Sequence, residues 1–195
     1  MEVGATYPQK RLHGKKYFDE LLGSVEDVPE SVIDMLKQSR ANWDLFNGIQ
    51  KKLVETLKEN PLIQNRVNRL MTIPGVGQIT ALTWVLETGE PQRFGSIKQA
   101  ISYCGLCAGQ HQSAGKEHRG PISKKRNKHI QAILIEGAKI APLWNHQLAE
   151  IHQKEGAKGN KNRATLAVAR KLVAFMLCVE KSGKDFCPVK TKKAA

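Results

Sequence analysis

Cysteine is scarce in this chain, with four among 195 residues, too few to staple a disulfide scaffold. Long hydrophobic runs are lacking as well. The longest, Leu172–Val179, follows Arg170 and Lys171. It falls far short of the roughly 20 apolar residues that a membrane helix needs. Met1–Lys16 has no apolar core, so no secretory signal is expected. No internal repeat or strand-rich block stands out, which predicts a mainly α chain. Together these shortages predict a reduced, cytoplasmic protein without membrane contact. Acidic residues are the scarcest resource of the second half. Residues 1–90 carry 11 basic and 12 acidic groups, a net of −1, whereas residues 91–195 carry 20 basic and only 6 acidic groups, a net of +14.

What is present is the composition of a folded protein. Hydrophobic residues make up 41% and charged residues 25%, at a length that allows one domain with appendages. The formal net charge of +13 points to a polyanionic partner, nucleic acid before membrane surface. A solvated basic surface is the alternative. Concentration of the excess in one half favours nucleic-acid contact and suggests two parts with different tasks.

Met1–Gly23 has mixed charge and no periodicity, and reads as a flexible leader over 1–27. A helix is expected from about Pro29, with Asp27 as candidate N-cap and Pro29 in the first turn. Within it Val32, Leu36, Ser39, Trp43, Phe46, Gln50, Leu53 and Leu57 alternate by four and three, a heptad-like stripe. The stripe suits a coiled-coil arm over 28–61. An ordinary amphipathic helix packed on its own domain fits too, given Gly48 and the two polar stripe positions. Asn60–Pro61 should end this helix, because the residue before proline avoids the helical region. Further helices are expected at about 62–72, 77–88, 96–103, 127–150 and 162–182. Pro142 should kink or restart the fourth of these, and Glu155–Lys161 reads as a glycine-rich basic loop. The last helix gathers Leu166, Ala169, Leu172, Val173, Met176 and Val179 on one face. Lys184–Ala195 reads as frayed, with 187–195 the basic tail proper.

Three features could carry chemistry. The first is Leu70–Leu86, LMTIPGVGQITALTWVL, an apolar segment, Pro-Gly-Val-Gly and an apolar helix, similar to a helix-hairpin-helix DNA-binding motif. Gly75 and Gly77 would allow a tight turn and bring backbone N–H groups to a phosphate, with Ile73 and Val76 filling the gap between the helices. Such contact reads no base sequence. A plain turn between core helices is the competing reading. The second is Gln110–Asn127, QHQSAGKEHRGPISKKRN, which gathers Lys116, Arg119, Lys124, Lys125, Arg126 and Asn127 around glycines and two serines. A serine among cations has the ingredients for attack on a phosphodiester, the cations stabilising charge on the phosphoryl oxygens. A DNA-clasping loop is the commoner meaning of such a stretch. The third is Cys104-x-x-Cys107 with His111, His118, Cys178 and Cys187. Structural zinc favours two closely spaced ligand pairs, and Cys178 and Cys187 are nine apart. Cys178 reads as a small core residue within its apolar run, and no metal site is assigned. His129, His146 and His152 show no ligand or triad spacing.

Residues 62–186 resemble the C-terminal transposase domain of a bacterial insertion-sequence family related to the Piv invertases, whose members carry an N-terminal RuvC-like DEDD nuclease domain. Four segments carry the resemblance in order: LMTIPGVGQITALTWVLE, RFGSIKQAISYCGL, QHQSAGKEHRGPISKKRNKHIQAILIEGAKIA and NKNRATLAVARKLVAFML. The resemblance implies a helical arm followed by a compact helical domain with a helix-hairpin-helix and a basic serine-bearing loop. It implies DNA transposition or site-specific recombination through a composite active site, in which Ser113 occupies the position of the proposed nucleophile. Gly75, Gly77, Lys116, Arg119, Lys124, Lys125, Arg126 and Asn127 are then the DNA-binding candidates. DNA is the implied partner, joined in some members by a guide-like structured non-coding RNA. Residues 29–60 become a homo-oligomerising linker, and a nucleoid-associated location follows.

Several positions depart from the family pattern. Gln112 and Ala114 replace a serine and a glycine beside Ser113, while Gly115, Lys116 and Gly120 agree. Ser123 falls on an "ile-ser-lys" position that is not the nucleophile. Arg126–Asn127 stands where Gly-Asn or Gly-Asp is usual, Gln131 where an arginine is common, and the proline after "gly-leu" is replaced near Cys107–Ala108. Asp19, Asp27, Asp34 and Asp44 lack the strands of a RuvC-like sheet, so the DEDD carboxylates and their Mg2+ are expected on another polypeptide. The expectation is the C-terminal part of a transposase from a truncated or split gene, inactive alone. A non-catalytic nucleic-acid-binding module is the alternative.

Overall fold

The computed structural model describes residues 7–8, 11–113, 116–122 and 126–188, and along 110–113, 116–119 and 121 it describes the backbone. Contacts divide the chain into two compact units, Met1–Leu53 and Val54–Ala195.

The first unit contains α1 (Lys15–Ser24) and most of α2 (Glu30–Lys58). Helix α1 falls within the stretch expected to be a flexible leader. It is short, and only half-buried Tyr17, Phe18, Leu21 and Leu22 mark its inner face, too little for a periodic signal. Arg40 of α2 supplies the anchor that the sequence pattern does not reveal. Its Nη1 and Nη2 donate to the Leu12 and His13 carbonyls at 2.9 and 3.1 Å. Its guanidinium also lies over the rings of Phe18 and Trp43, at 5.4 and 4.8 Å. Asp27 is not the N-cap of α2. It has φ +60°, and Pro29 directly precedes the first helical residue, its carbonyl accepting from Val32 and Ile33. No residue of α2 is buried, and its stripe lies open, Phe46 at 67% and Leu53 at 59% exposure.

The second unit is helical except for one hairpin. Its elements are α3 (Gln64–Met71), α4 (Gln78–Thr88), a 3-10 turn (Pro91–Arg93), α5 (Ile97–Tyr103), β1 (Ala108–Ser113), β2 (Lys116–Ile122), α6 (Lys128–Ile140), a second 3-10 turn (Ala141–Leu143), α7 (His146–Gly156) and α8 (Lys161–Ser182). The mainly α reading holds, and each predicted helix after residue 62 has its counterpart. Pro142 lies in the second 3-10 turn, where its missing N–H interrupts the ladder and separates α6 from α7. The glycine-rich loop is shorter than expected because α7 continues to Gly156. The serine-bearing segment is the main departure, forming an antiparallel hairpin in place of a loop. AGQHQS and KEHRGPI contain a single β-branched residue, so neither alternation nor β-propensity marks them as strands.

Helix α8 is the central post of the core, packed by α3, α5, α6 and α7. Val168, Ala169, Leu172, Val173 and Met176 are fully enclosed, and Leu166 is partly buried against the same core. Trp84, Val67, Leu70, Ile130 and Leu134 complete it. Each such burial contributes about 1.5–3 kcal/mol before entropy is subtracted. Side-chain caps start α5, α6, α7 and α8, from Ser96, Asn127, Asn145 and Asn160 in turn. The core also holds a charge pair. Glu180 accepts from Arg66 Nε at 3.0 Å, from Arg66 Nη2, and from Trp84 Nε1 at 3.3 Å. The hydrogen bond to Glu180 raises the Arg66 pKa above its ordinary value, so the guanidinium stays charged. The Phe186 ring lies tilted against Phe175 at 4.9 Å and its N–H donates to Thr72 Oγ1 at 2.8 Å, so the segment expected to fray from Lys184 is packed at least that far.

Candidate nucleic-acid interface

The hairpin pairs Gln110 with Arg119, His111 with His118, Gln112 with Glu117 and Ser113 with Lys116. Ser113 therefore ends β1 directly across from a lysine. A register irregularity between Ala108 and Gln110 bends the ribbon near its root. Ser123, Lys124 and Lys125 lie outside the described residues, as do the side chains of Ser113, Lys116 and Arg119.

The root is fastened by three helices. Gly105 has φ +68°, and a Cβ there would lie 2.4 Å from Arg126 Cβ, so only glycine lets the two ends of the hairpin segment approach so closely. The Gly105 carbonyl accepts from buried Gln131 Nε2 of α6 at 2.6 Å. The Leu106 carbonyl accepts from Arg170 Nε of α8 at 2.8 Å. On the returning side Asn127 caps α6, its Oδ1 accepting from His129 N and Ile130 N at 3.0 and 3.2 Å. Its Nδ2 donates to Glu87 of α4. Asn127, singled out as a DNA contact, is thus occupied in the structure as a cap and a tie. That also accounts for Asn or Asp being usual there in the resembling family, since both are good N-caps. Gln131, a departure from the family pattern, serves as a neutral donor in a buried position.

The other candidates separate in the α3–α4 turn. Ile73 and Val76 are buried between the helices as expected. Gly75 has φ +92°, and a Cβ there would meet Ala141 Cβ at 2.6 Å, so this glycine is required for packing against the second 3-10 turn. Gly77 is different. It is exposed, precedes α4 without a side-chain cap, and has nothing within 4 Å of its Cβ direction. The first-turn amides of α4 carry the partial positive charge of a helix N-terminus. Gln78 of that turn donates to Glu55 at 3.4 Å.

Cys104 is enclosed in the core, where burial pushes its thiol pKa up to about 12. Cys107 is half-buried. Cys178 is exposed, contrary to the core role expected of it, because its position on α8 turns away from Leu172, Val173 and Met176. Among the described residues no three His, Cys, Asp or Glu side chains gather to hold a metal ion. No helix among them is long and apolar enough to cross a membrane.

Glu87, Gln131 and Arg170 were missed by sequence reasoning. Nothing local marks their partners, which lie 40, 26 and 64 residues away. The cap at Asn127 was legible, since it stands immediately before the apolar periodicity of α6.

Comparison with known proteins finds transposases and a gene-inverting protein among the relatives of this chain. Residues 67–153 match the family described as Transposase IS116/IS110/IS902. A probable family 20 transposase of Pseudomonas aeruginosa is 31% identical over 112 residues, which cover 57% of this chain and 33% of the relative. The transposase for insertion sequence element IS1111A of Coxiella burnetii is 31% identical over 128 residues, 60% of this chain and 33% of the relative. The pilin gene-inverting protein of Moraxella bovis is 24% identical over 149 residues, 74% of this chain and 46% of the relative. The chain thus spans between a third and a half of the length of these relatives.

Proposed function

We propose that this chain binds the DNA backbone through the hairpin region and the α3–α4 turn, and that Ser113 is the nucleophile of strand transfer in a transposase. The observation that carries the reading is Ser113 at the end of β1, opposite Lys116, on a hairpin whose root is fixed to α4, α6 and α8. A fixed root restricts where the serine can stand relative to a bound strand, and such positioning accounts for much of the barrier lowering in phosphoryl transfer. In the proposed step Ser113 Oγ attacks phosphorus and the bond to the leaving deoxyribose oxygen breaks. That oxygen takes up a proton, and the strand remains attached to the serine as a phosphodiester. Lys116, Arg119, Lys124, Lys125 and Arg126 supply positive charge for the phosphoryl oxygens. Gly77 opens the α4 amides to a second phosphate along the strand.

In this reading the metal-binding carboxylates belong to a RuvC-like domain, and residues 62–186 alone transfer no strand. The open stripe of α2 serves self-association, since Val32, Leu36, Trp43, Phe46 and Leu53 remain exposed. The test mixes the chain with DNA carrying both ends of an element, with and without an intact relative. Covalent protein–DNA adducts should form in the mixture and vanish on Ser113→Ala. Adducts that persist at the same level defeat the nucleophile assignment.

A second reading is a binding module without catalysis, in which the same cations hold the backbone and Ser113 takes no part. It predicts salt-dependent binding that survives Ser113→Ala and weakens when Lys124, Lys125 and Arg126 are neutralised. Running the titration with a structured RNA beside duplex DNA tests the RNA partner in the same experiment.

A further inference from the structure

Arg170 is a charged group doing a task that a neutral one could do. Its Nε donates to the Leu106 carbonyl at 2.8 Å, one residue beyond the carbonyl that Gln131 satisfies with an amide. Arg170 is half-buried, yet among the described residues no carboxylate forms an ion pair with it and its recorded hydrogen bond is the one from Nε, which leaves the two terminal nitrogens without a partner among those residues. A carbonyl bond alone offsets only part of the desolvation of a half-buried guanidinium, which an opposite charge would offset further. Its planar fork matches the geometry of phosphate oxygens.

The surroundings have the same sign. From Lys161 to Val179 helix α8 contains Lys161, Arg163, Arg170 and Lys171 and no acid. Of these, Arg163 is paired with Glu155 and Lys171 lies over the Phe175 ring. The Arg126 side chain packs along Gly105. Two guanidinium-bearing side chains thus border the Gly105–Leu106 backbone, immediately ahead of the strand that leads to Ser113.

We propose that Arg170 is a phosphate-binding residue that grips the DNA backbone at the hairpin root. It rests on the reading of this region as a DNA-binding surface and adds to it a contact from α8, a helix otherwise explained by its core face. The ligand is a phosphodiester oxygen pair, held by the terminal Nη groups while Nε keeps its bond to Leu106.

The test is fluorescence anisotropy of the full chain on a labelled duplex of arbitrary sequence, across a range of KCl concentrations. Arg170→Gln retains a donor for the Leu106 carbonyl, so its melting midpoint should stay near the wild-type value. Its affinity should fall about fivefold, and the slope of log K against log salt should shrink by about 0.9, the loss of one phosphate contact. Wild-type affinity and slope in this variant would overturn the proposal and leave the DNA-binding reading intact. Absence of salt-dependent binding by the wild-type chain would instead remove that underlying reading. Because the variant could lose stability, phenylglyoxal modification of the wild-type chain supplies an independent measurement. DNA should protect Arg170 several-fold and leave Arg66, tied to Glu180, unchanged; equal labelling of Arg170 with and without DNA overturns the proposal.

Discussion

Gly75→Ala separates packing from phosphate binding at the α3–α4 turn. The native φ is +92°, and the added Cβ would lie 2.6 Å from Ala141 Cβ and 2.7 Å from Ala141 Cα. Forcing alanine into left-handed backbone costs about 1–2 kcal/mol. Pushing its methyl into a backbone neighbour costs about 1–3 kcal/mol more, because Ala141 is itself fully buried and cannot rotate away. The expected loss is therefore about 2–5 kcal/mol, or about 5–15 °C in Tm for a unit of this size. Gly77→Ala is the paired control. Its φ is −87° and nothing lies within 4 Å of the new methyl, so it should cost no more than about 1 kcal/mol as a weaker N-cap. Circular dichroism melts of both variants provide the comparison. A Gly75→Ala chain melting within 2 °C of wild type would refute the packing role, since strain and overlap could not both be present (about 0.5–1 kcal/mol at most).

Glu180→Gln removes the charge that the partly buried Arg66 faces, and should destabilise the chain by about 3 kcal/mol in urea titrations. Replacing both partners by apolar residues should recover much of that loss. Cys178 and Cys187 should react with a thiol reagent in the native state while Cys104 reacts only on unfolding. Since burial raises the Cys104 pKa from 9.0 to about 12, its contribution is complete below pH 9 and is lost as pH rises through that interval. A Cys104→Ala chain should show a smaller decline in stability over the same range. Phe46→Glu with Leu53→Glu should weaken self-association in sedimentation equilibrium without lowering Tm, because both side chains are exposed; a wild-type chain that is monomeric at every concentration sinks the arm reading.

The helices of the second unit were legible because their signals are local. Asn60–Pro61, Pro142 and the apolar face of α8 each act within a turn or two of where they stand. Helix α1 was not, since Arg40 anchors it from 27 and 28 residues away. The hairpin escaped for a related reason. Its strands pair through backbone groups, and residues such as Gln110, His111 and Gln112 carry no β signature. Of the site, the cationic segment and Ser113 could be named from sequence. The packing duty of Gly75 and the tie from Asn127 to Glu87 could not, because they depend on Ala141 and Glu87, distant in the chain. Arg170 lies outside the apolar face of its helix, and nothing local marks the bond to Leu106 that places it at the hairpin root.

The most direct test of the central claim is to trap the protein–DNA adduct in the presence of an intact relative, digest both components and locate the attached nucleotide by mass spectrometry. A nucleotide on Ser113 of this chain is the predicted result. Attachment to Ser123, to a tyrosine, or only to the relative's own chain would contradict it.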